Sequence, residues 1–230
     1  MDLSVFPIIL MLPVLLISLV YCIKWNKKNL RKVIIIFLCC TSIVILYPTT
    51  TYLGNVIEPM FGYFLGKILL FTLLPFFTIL FLERSKVKIT IAKLGVKKEK
   101  LILSILLGLG SLLVTISITL LISGWRQAES PSIYWDVLMF FDAFNEEFLF
   151  RGVLLLYLWK LTNLKIAYAT SVLAFILVHP QYFTSLYLIH VIVQGLLLGL
   201  VVYKTKNVMG PWISHGFNRI LPQILAAFFY

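Results

Sequence analysis

The chain has 230 residues, of which 61% are hydrophobic and 13% are charged, and its mean hydropathy is +1.01. Soluble domains are nearer half apolar and a quarter charged, so this composition excludes an ordinary water-soluble protein. The net charge of +11 does not indicate nucleic-acid binding, because 16 of the 20 basic residues lie in four short segments between apolar runs. These features indicate an integral membrane protein in contact with the lipid bilayer.

About eight apolar runs follow one another along the chain, and a run of about 20 apolar residues crosses a bilayer as a helix. The predicted spans are 4–23, 33–53, 61–82, 101–123, 133–158, 166–179, 185–203 and 208–229. The sequence therefore predicts an all-α fold, a polytopic membrane helical bundle of about eight transmembrane helices.

Basic residues mark alternate connections between these runs. The four basic segments are 24–32, 83–100, 160–165 and 204–206. By contrast, 54–60 and 180–184 contain no Lys or Arg, and 124–132 contains only Arg126. Cytoplasmic loops carry an excess of Lys and Arg, so the basic loops are predicted to be cytoplasmic and both termini to lie outside. The Leu/Ile/Lys-rich composition favours the cell membrane of a bacterium or an archaeon.

The chain contains no Gly/Pro/Ser-rich linker and no repeat at a fixed period. Residues 1–100 are interpreted as N-terminal transmembrane helices with basic cytoplasmic loops, and residues 101–230 as the functional core of one compact structural domain. Segment 83–100 is predicted to contain a short amphipathic helix on the inner membrane surface. Lys67 is expected to extend its ammonium group towards the membrane surface.

One predicted span is unusually polar. Segment 133–158 reads IYWDVLMFFDAFNEEFLFRGVLLLYL and carries Asp136, Asp142, Asn145, Glu146, Glu147 and Arg151. An ionisable group at mid-membrane costs several kcal/mol unless it is paired or hydrated. A functional cavity is the favoured explanation, and a cluster of ion pairs that only ties helices together is the structural alternative.

The spacing within this span predicts roles for the two adjacent glutamates. Glu147 and Arg151 are four residues apart and can pair on one helix face, and Asp142 and Glu146 likewise share a face. Two neighbouring carboxylates with one arginine cannot easily both ionise, so one of them should retain its proton and suit acid–base chemistry. Glu146 is the predicted base, because Arg151 is better placed to neutralise Glu147.

Histidines follow on later spans. His179 precedes Pro180, which breaks the helix, and irregular backbone at membrane depth usually lines a cavity. His215 and Asn218 share a face of the last span and could stabilise an oxyanion. Arg219 is a possible partner of Asp142. His190 has no acidic neighbour in the sequence and is predicted to be an ordinary hydrogen-bonded residue.

Three motifs appear in order on successive spans: E-E-x-x-x-R at Glu146, Glu147 and Arg151; F-x-x-x-H at Phe175 and His179; and a His/Asn motif at His215. Together they resemble the CAAX protease and bacteriocin-processing family (CPBP or Abi), which is related to the type II CAAX prenyl endopeptidase. The resemblance covers roughly residues 100–230. It implies an all-helical intramembrane protease whose polar residues line a cavity in the bilayer.

The resemblance also implies roles for single residues. Glu146 with His179 would activate a water molecule for attack on the scissile carbonyl, and His215 and Asn218 would stabilise the oxyanion. The supporting residues would be Glu147, Arg151 and Asp142. The family's third motif usually has its asparagine four residues after the histidine, where this chain has Arg219.

The family has been described both as zinc metalloproteases and as metal-independent glutamate proteases. This sequence has no H-E-x-x-H motif, and a zinc ion would need ligands from three spans, namely Glu146, His179 and His215. A reaction without a metal or other cofactor is therefore favoured.

The expected substrate is a peptide or a lipidated protein, with peptide-pheromone processing and bacteriocin immunity as roles associated with the family. Two alternatives remain. One is a non-catalytic binding or immunity scaffold with the same fold. The other is a proton-coupled transporter that uses Asp142, Glu146 and His179 as a relay, which is less favoured because the chain shows no inverted repeat.

Overall fold

A computed structural model describes residues 6–123 and 132–229, and these residues form helices joined by short turns. The helices are α1 Phe6–Ile9, α2 Met11–Trp25, α3 Leu30–Leu46, α4 Pro48–Val56, α5 Pro59–Lys67, α6 Leu74–Glu83, α7 Val87–Lys93, α8 Leu101–Ser123, α9 Ile133–Glu147, α10 Leu158–Leu161, α11 Leu164–Leu177, α12 Tyr187–Thr205 and α13 Met209–Phe229. Two π-helical segments, Ile68–Leu73 and Phe148–Tyr157, join α5 to α6 and α9 to α10. Arg126 lies outside the described residues.

The all-α prediction is confirmed for the described part of the chain. Four helices there are long and apolar enough to cross a membrane: Lys27–Leu46, Pro59–Glu83, Leu101–Ile122 and Tyr187–Thr205. Met11–Trp25 and Leu164–Leu177 are apolar but shorter. These helices support an integral membrane protein, whereas the number of eight spans stays a prediction. The predicted second span, 33–53, is divided, because α3 ends at Leu46 and Pro48 begins a separate helix.

The distribution of side chains is inverted relative to a soluble protein. Large apolar residues are strongly exposed on the outside of the bundle, among them Phe81, Leu121 and Ile133. Charged residues are buried inside it, including Arg151 and Glu147, both 0% exposed. A lipid environment accounts for both features, because it solvates apolar surface and makes unpaired charges costly.

The polar interior lies where the C-terminal helices meet α5. Helix α13 packs against α8 and α9, α12 packs against α8, and α11 packs against the π-helical segment Phe148–Tyr157. Helix α5, from the N-terminal part of the chain, also packs against α9. The polar span therefore faces helices from both halves of the chain.

The basic segment 83–100 forms a short helix, Val87–Lys93, as predicted, while its location on the membrane surface stays a prediction. Asn207 anchors the end of this segment, because its Nδ2 donates to the carbonyl oxygens of Lys97 (2.7 Å) and Glu99 (3.2 Å). The backbone N–H of Val208 donates to the carbonyl of Gly95 at 3.0 Å. These bonds attach the basic loop to the turn between α12 and α13.

The crossing of α8 and α13 depends on glycine, and a Gly108→Ala substitution should lower the thermal unfolding midpoint. A Cβ atom on Gly108 would lie 2.4 Å from the carbonyl oxygen of Gly210, so the two backbones would have to separate. Gly110→Ala is the matched control, because nothing lies within 4 Å of its Cβ position and alanine favours the helix. Unfolding scans in detergent that gave equal midpoints for both variants would contradict this packing.

Candidate active site

The first part of the site is a four-membered ion-pair cluster. Lys67 donates to Asp142 Oδ2 and to Glu146 Oε1, each at 2.6 Å. Arg219 donates to the same two oxygens, at 2.7 and 2.6 Å. Asp142 and Glu146 present these oxygens together because they lie four residues apart on α9. The predicted pair of Arg219 and Asp142 is therefore present in the structure.

One sequence-based expectation was wrong here, and the assumption behind a second one does not hold. Lys67 does not extend to the membrane surface: it is 2% exposed and paired with two carboxylates. The expectation of a retained proton assumed one arginine for two glutamates, whereas Lys67 and Arg219 both compensate the charge of Glu146. A lysine in the middle of an apolar run was the sequence signal for this additional site residue, because such a residue is costly without a partner.

The second part of the site contains Glu147, Arg151 and His215. Arg151 Nε lies 3.2 Å from Glu147 Oε2, which is the predicted (i, i+4) pair, although the angle does not suit a hydrogen bond. The guanidinium group also lies 4.2 Å from the ring centroid of Phe175, a cation–π contact. The other carboxylate oxygen of Glu147 lies 2.8 Å from His215 Nδ1. Glu147 therefore orients the imidazole of His215.

Hydrogen bonds define the tautomers of both histidines. His179 Nδ1 lies 2.7 Å from the carbonyl oxygen of Phe175, which can only accept, so this nitrogen carries a proton. His215 Nδ1 donates in the same way to the carboxylate of Glu147. In the neutral form of each ring, Nε2 is then an acceptor with a free lone pair.

The two free imidazole nitrogens converge on one oxygen of Glu146. Glu146 Oε2 lies 4.0 Å from His179 Nε2 and 3.8 Å from His215 Nε2. This oxygen is buried and makes no hydrogen bond, whereas Oε1 is held by Lys67 and Arg219. Three acceptors that face one another require a molecule that donates protons or carries positive charge between them.

The same three donors are the ones that could hold a metal ion. Two ligands bound at about 2.0 Å to tetrahedral zinc lie about 3.3 Å apart, which is closer than the 3.8 and 4.0 Å seen here. In the described part of the chain, no group of three or more His, Cys, Asp or Glu residues has the geometry of a metal site. In this arrangement Glu146, His179 and His215 are therefore not preorganised for zinc.

Asn218 is held by His190. Its Nδ2 lies 2.9 Å from His190 Nε2, while His190 Nδ1 lies 3.2 Å from the carbonyl oxygen of Thr115 and 3.0 Å from Thr119 Oγ1. His190 is hydrogen-bonded, as predicted, and this histidine fixes the amide of Asn218. The oxyanion role of Asn218 stays a prediction, and its amide would have to leave His190 to fulfil it.

These groups line one open cavity of about 640 Å³. Its wall includes Glu146, His179, His215 and Asn218 together with the aromatic residues Tyr47 and Trp135. A volume of this size suits a substrate segment of several residues or a drug-sized ligand. The cavity wall combines aromatic residues with many ionisable and amide side chains.

One protein-family model matches the part of the chain that contains most residues of this site. Residues 128–221 match the family model described as Rce1-like, type II CAAX prenyl endopeptidase Rce1-like. Searches of curated proteins and of solved structures returned no significant match. The matched segment contains Glu146, His179, His215 and Arg219, whereas Lys67 lies outside it. Residues 128–221 of this membrane protein are therefore similar to the Rce1-like family of type II CAAX prenyl endopeptidases.

Proposed function

We propose that this protein is an intramembrane endopeptidase in which Glu146 and His179 activate a water molecule without a metal. The observation that carries the proposal is the convergence of the buried Glu146 Oε2 with two imidazole lone pairs at the wall of the cavity. A water molecule at about 2.8 Å from both Glu146 Oε2 and His179 Nε2 would accommodate the 4.0 Å separation with an angle of about 90°. Such a water molecule would donate one proton to each group.

In the proposed reaction, Glu146 takes a proton from this water as the oxygen attacks the scissile carbonyl carbon. The tetrahedral intermediate then collapses, the C–N bond breaks, and the proton passes from Glu146 to the leaving amine. Lys67 and Arg219 hold Oε1 and thereby aim Oε2 at the water. His179 orients the water through its Nε2 atom.

The developing oxyanion needs donors, for which we propose His215 and Asn218. His215 could donate once its Nε2 receives the water's proton from Glu146 Oε2, 3.8 Å away, and it would return that proton to Glu146 for the leaving amine. Glu147, held by Arg151, would stabilise the transient imidazolium. Arg219, at the position of the family's usual asparagine, supplies a fixed positive charge nearby. The proposed substrate is a peptide or a lipidated protein that enters the cavity from the bilayer, as in peptide-pheromone processing or bacteriocin immunity.

The proposal is tested by comparing membrane peptides from a deletion strain complemented with wild type or with His179→Ala. We expect a processed peptide to disappear with the variant at equal protein level, because the water loses one of its two acceptors. Purified wild type should keep cleaving that peptide with 1,10-phenanthroline present. Unchanged peptides with the variant would contradict the catalytic role of His179. Loss of cleavage with the chelator would contradict the metal-independent mechanism and favour a metal-dependent one.

One observation favours a second candidate function. Glu146 is ion-paired to Arg219, and a buried ion-pair cluster can also serve to hold helices together. A non-catalytic binding or immunity scaffold would retain this cluster and would not need the two histidines. It predicts that His179→Ala complements the deletion strain fully.

A further inference from the structure

A second pocket lies away from the candidate active site, on the side of the bundle that carries the basic loops. Its volume is about 370 Å³, and it is lined by Ala92, Lys93, Lys97, Leu156, Trp159, Lys160 and Lys206. Four of these seven residues are lysines, and the other three form an apolar floor. The pocket joins α7, α10 and the turn after α12, which are close in space because Asn207 ties the basic loop to that turn.

The positive charge of this pocket is mostly uncompensated. Among the ion pairs of residues 6–123 and 132–229, Lys93 pairs with Glu83 at 3.0 Å, and Glu83 is shared with Lys32. None of those ion pairs includes Lys97, Lys160 or Lys206. Burial and the neighbouring charges of Lys100 and Lys97 lower the pKa of Lys206 to about 8. A bound anion would relieve this repulsion.

Lys206 is held in place at a conformational cost. It adopts a left-handed backbone conformation with φ of 57°, at the end of α12 where glycine is the usual residue. Its ammonium group lies 3.2 Å from the ring centroid of Trp159 and donates to the carbonyl of Tyr203 at 2.8 Å. A lysine in this backbone position is therefore directed over the aromatic floor of the pocket.

We propose that this pocket binds a phosphate group, and that its natural source is the headgroup of an anionic phospholipid. Lysine ammonium groups are point-charge donors for phosphate, and tryptophan is enriched at the membrane–water interface. The apolar floor of Leu156 and Trp159 would contact the first carbons beyond the phosphodiester. A free phosphate compound would use the lysines but not this floor.

The test measures the binding of lipids and phosphate to wild type and to the double variant Lys160→Gln/Lys206→Gly, in nanodiscs and by native mass spectrometry. Glycine at 206 removes the charge and suits the left-handed backbone, so the fold is expected to persist. Lys27→Gln/Lys28→Gln is the matched control, because it removes two exposed charges from another basic segment. The probes are phosphatidylglycerol, phosphatidylcholine and inorganic phosphate.

We expect wild type to retain phosphatidylglycerol over phosphatidylcholine, and the pocket variant to lose affinity for it by about 30-fold, for two lysines near a charged surface. The control variant should lose much less affinity for phosphatidylglycerol. Displacement of the lipid by millimolar inorganic phosphate would reassign the pocket to a soluble phosphate compound. Equal retention by the two variants, or no preference for the anionic lipid, would overturn the proposal.

Discussion

A Glu146→Gln variant should lose peptide hydrolysis by about 10²–10⁴-fold, the range expected when a general base is removed. Glutamine preserves the size of the side chain and can still accept from Lys67 and Arg219. Its amide cannot take the proton of the attacking water, so the chemical step fails while the substrate cavity persists. The measurement is kcat on the processed peptide with purified protein in nanodiscs.

Glu99→Gln is the matched control for this experiment, because it removes the same charge from an exposed residue outside the cavity. Its kcat should equal that of wild type. A Glu146→Gln variant that cleaved at the wild-type rate would exclude Glu146 as the base and assign the proton transfer to another group. Thermal unfolding of both variants distinguishes a catalytic defect from a folding defect.

A Lys67→Met variant should lower the free energy of unfolding by about 3–5 kcal/mol, because it leaves a buried carboxylate without one of its two cations. The same change releases Glu146 Oε1 on one side, so activity should fall as well. Unfolding in mixed micelles measures the first effect. Lys88→Met, which removes an exposed lysine, should change stability by less than about 0.5 kcal/mol.

The double variant Lys67→Met/Asp142→Asn separates charge imbalance from lost packing. It removes one cation and one anion, so that Arg219 still compensates Glu146. We expect it to recover more than half of the stability lost by Lys67→Met, a coupling that is typical of residues in one ion-pair network. A double variant as unstable as the sum of its single variants would show that the cluster does not act as a charge-balanced unit.

Local sequence patterns predicted the parts of the site that belong to one helix. The pair of Glu147 with Arg151 follows from a spacing of four residues, and so does the shared face of Asp142 and Glu146. The helix break at Pro180 marked His179 as a residue at the edge of a cavity. These predictions held because a helix fixes the relative positions of residues three or four apart.

Contacts between distant segments could not be predicted in the same way. Lys67 lies 75 residues before Asp142, and nothing in its own neighbourhood shows that α5 packs against α9. The prediction that one glutamate retains a proton assumed a single compensating arginine for this reason, whereas a compensating lysine comes from another part of the chain. Likewise, Asn218 could be placed on the face of His215, but its bond to His190 depends on the packing of α12 against α13.

By itself, the sequence determined that this protein is helical and embedded in a membrane. It also determined that the ionisable residues that are costly to place in a membrane are concentrated in the span of Glu146 and Glu147. Composition and local spacing suffice for these conclusions, because they depend on transfer into lipid and on helix geometry. Only the tertiary structure decided that Lys67 meets Asp142 and Glu146, and that two imidazole lone pairs face Glu146 Oε2. Hydrogen bonds and contact ion pairs form only within a few ångströms, so the chemistry of the site is set by helix packing.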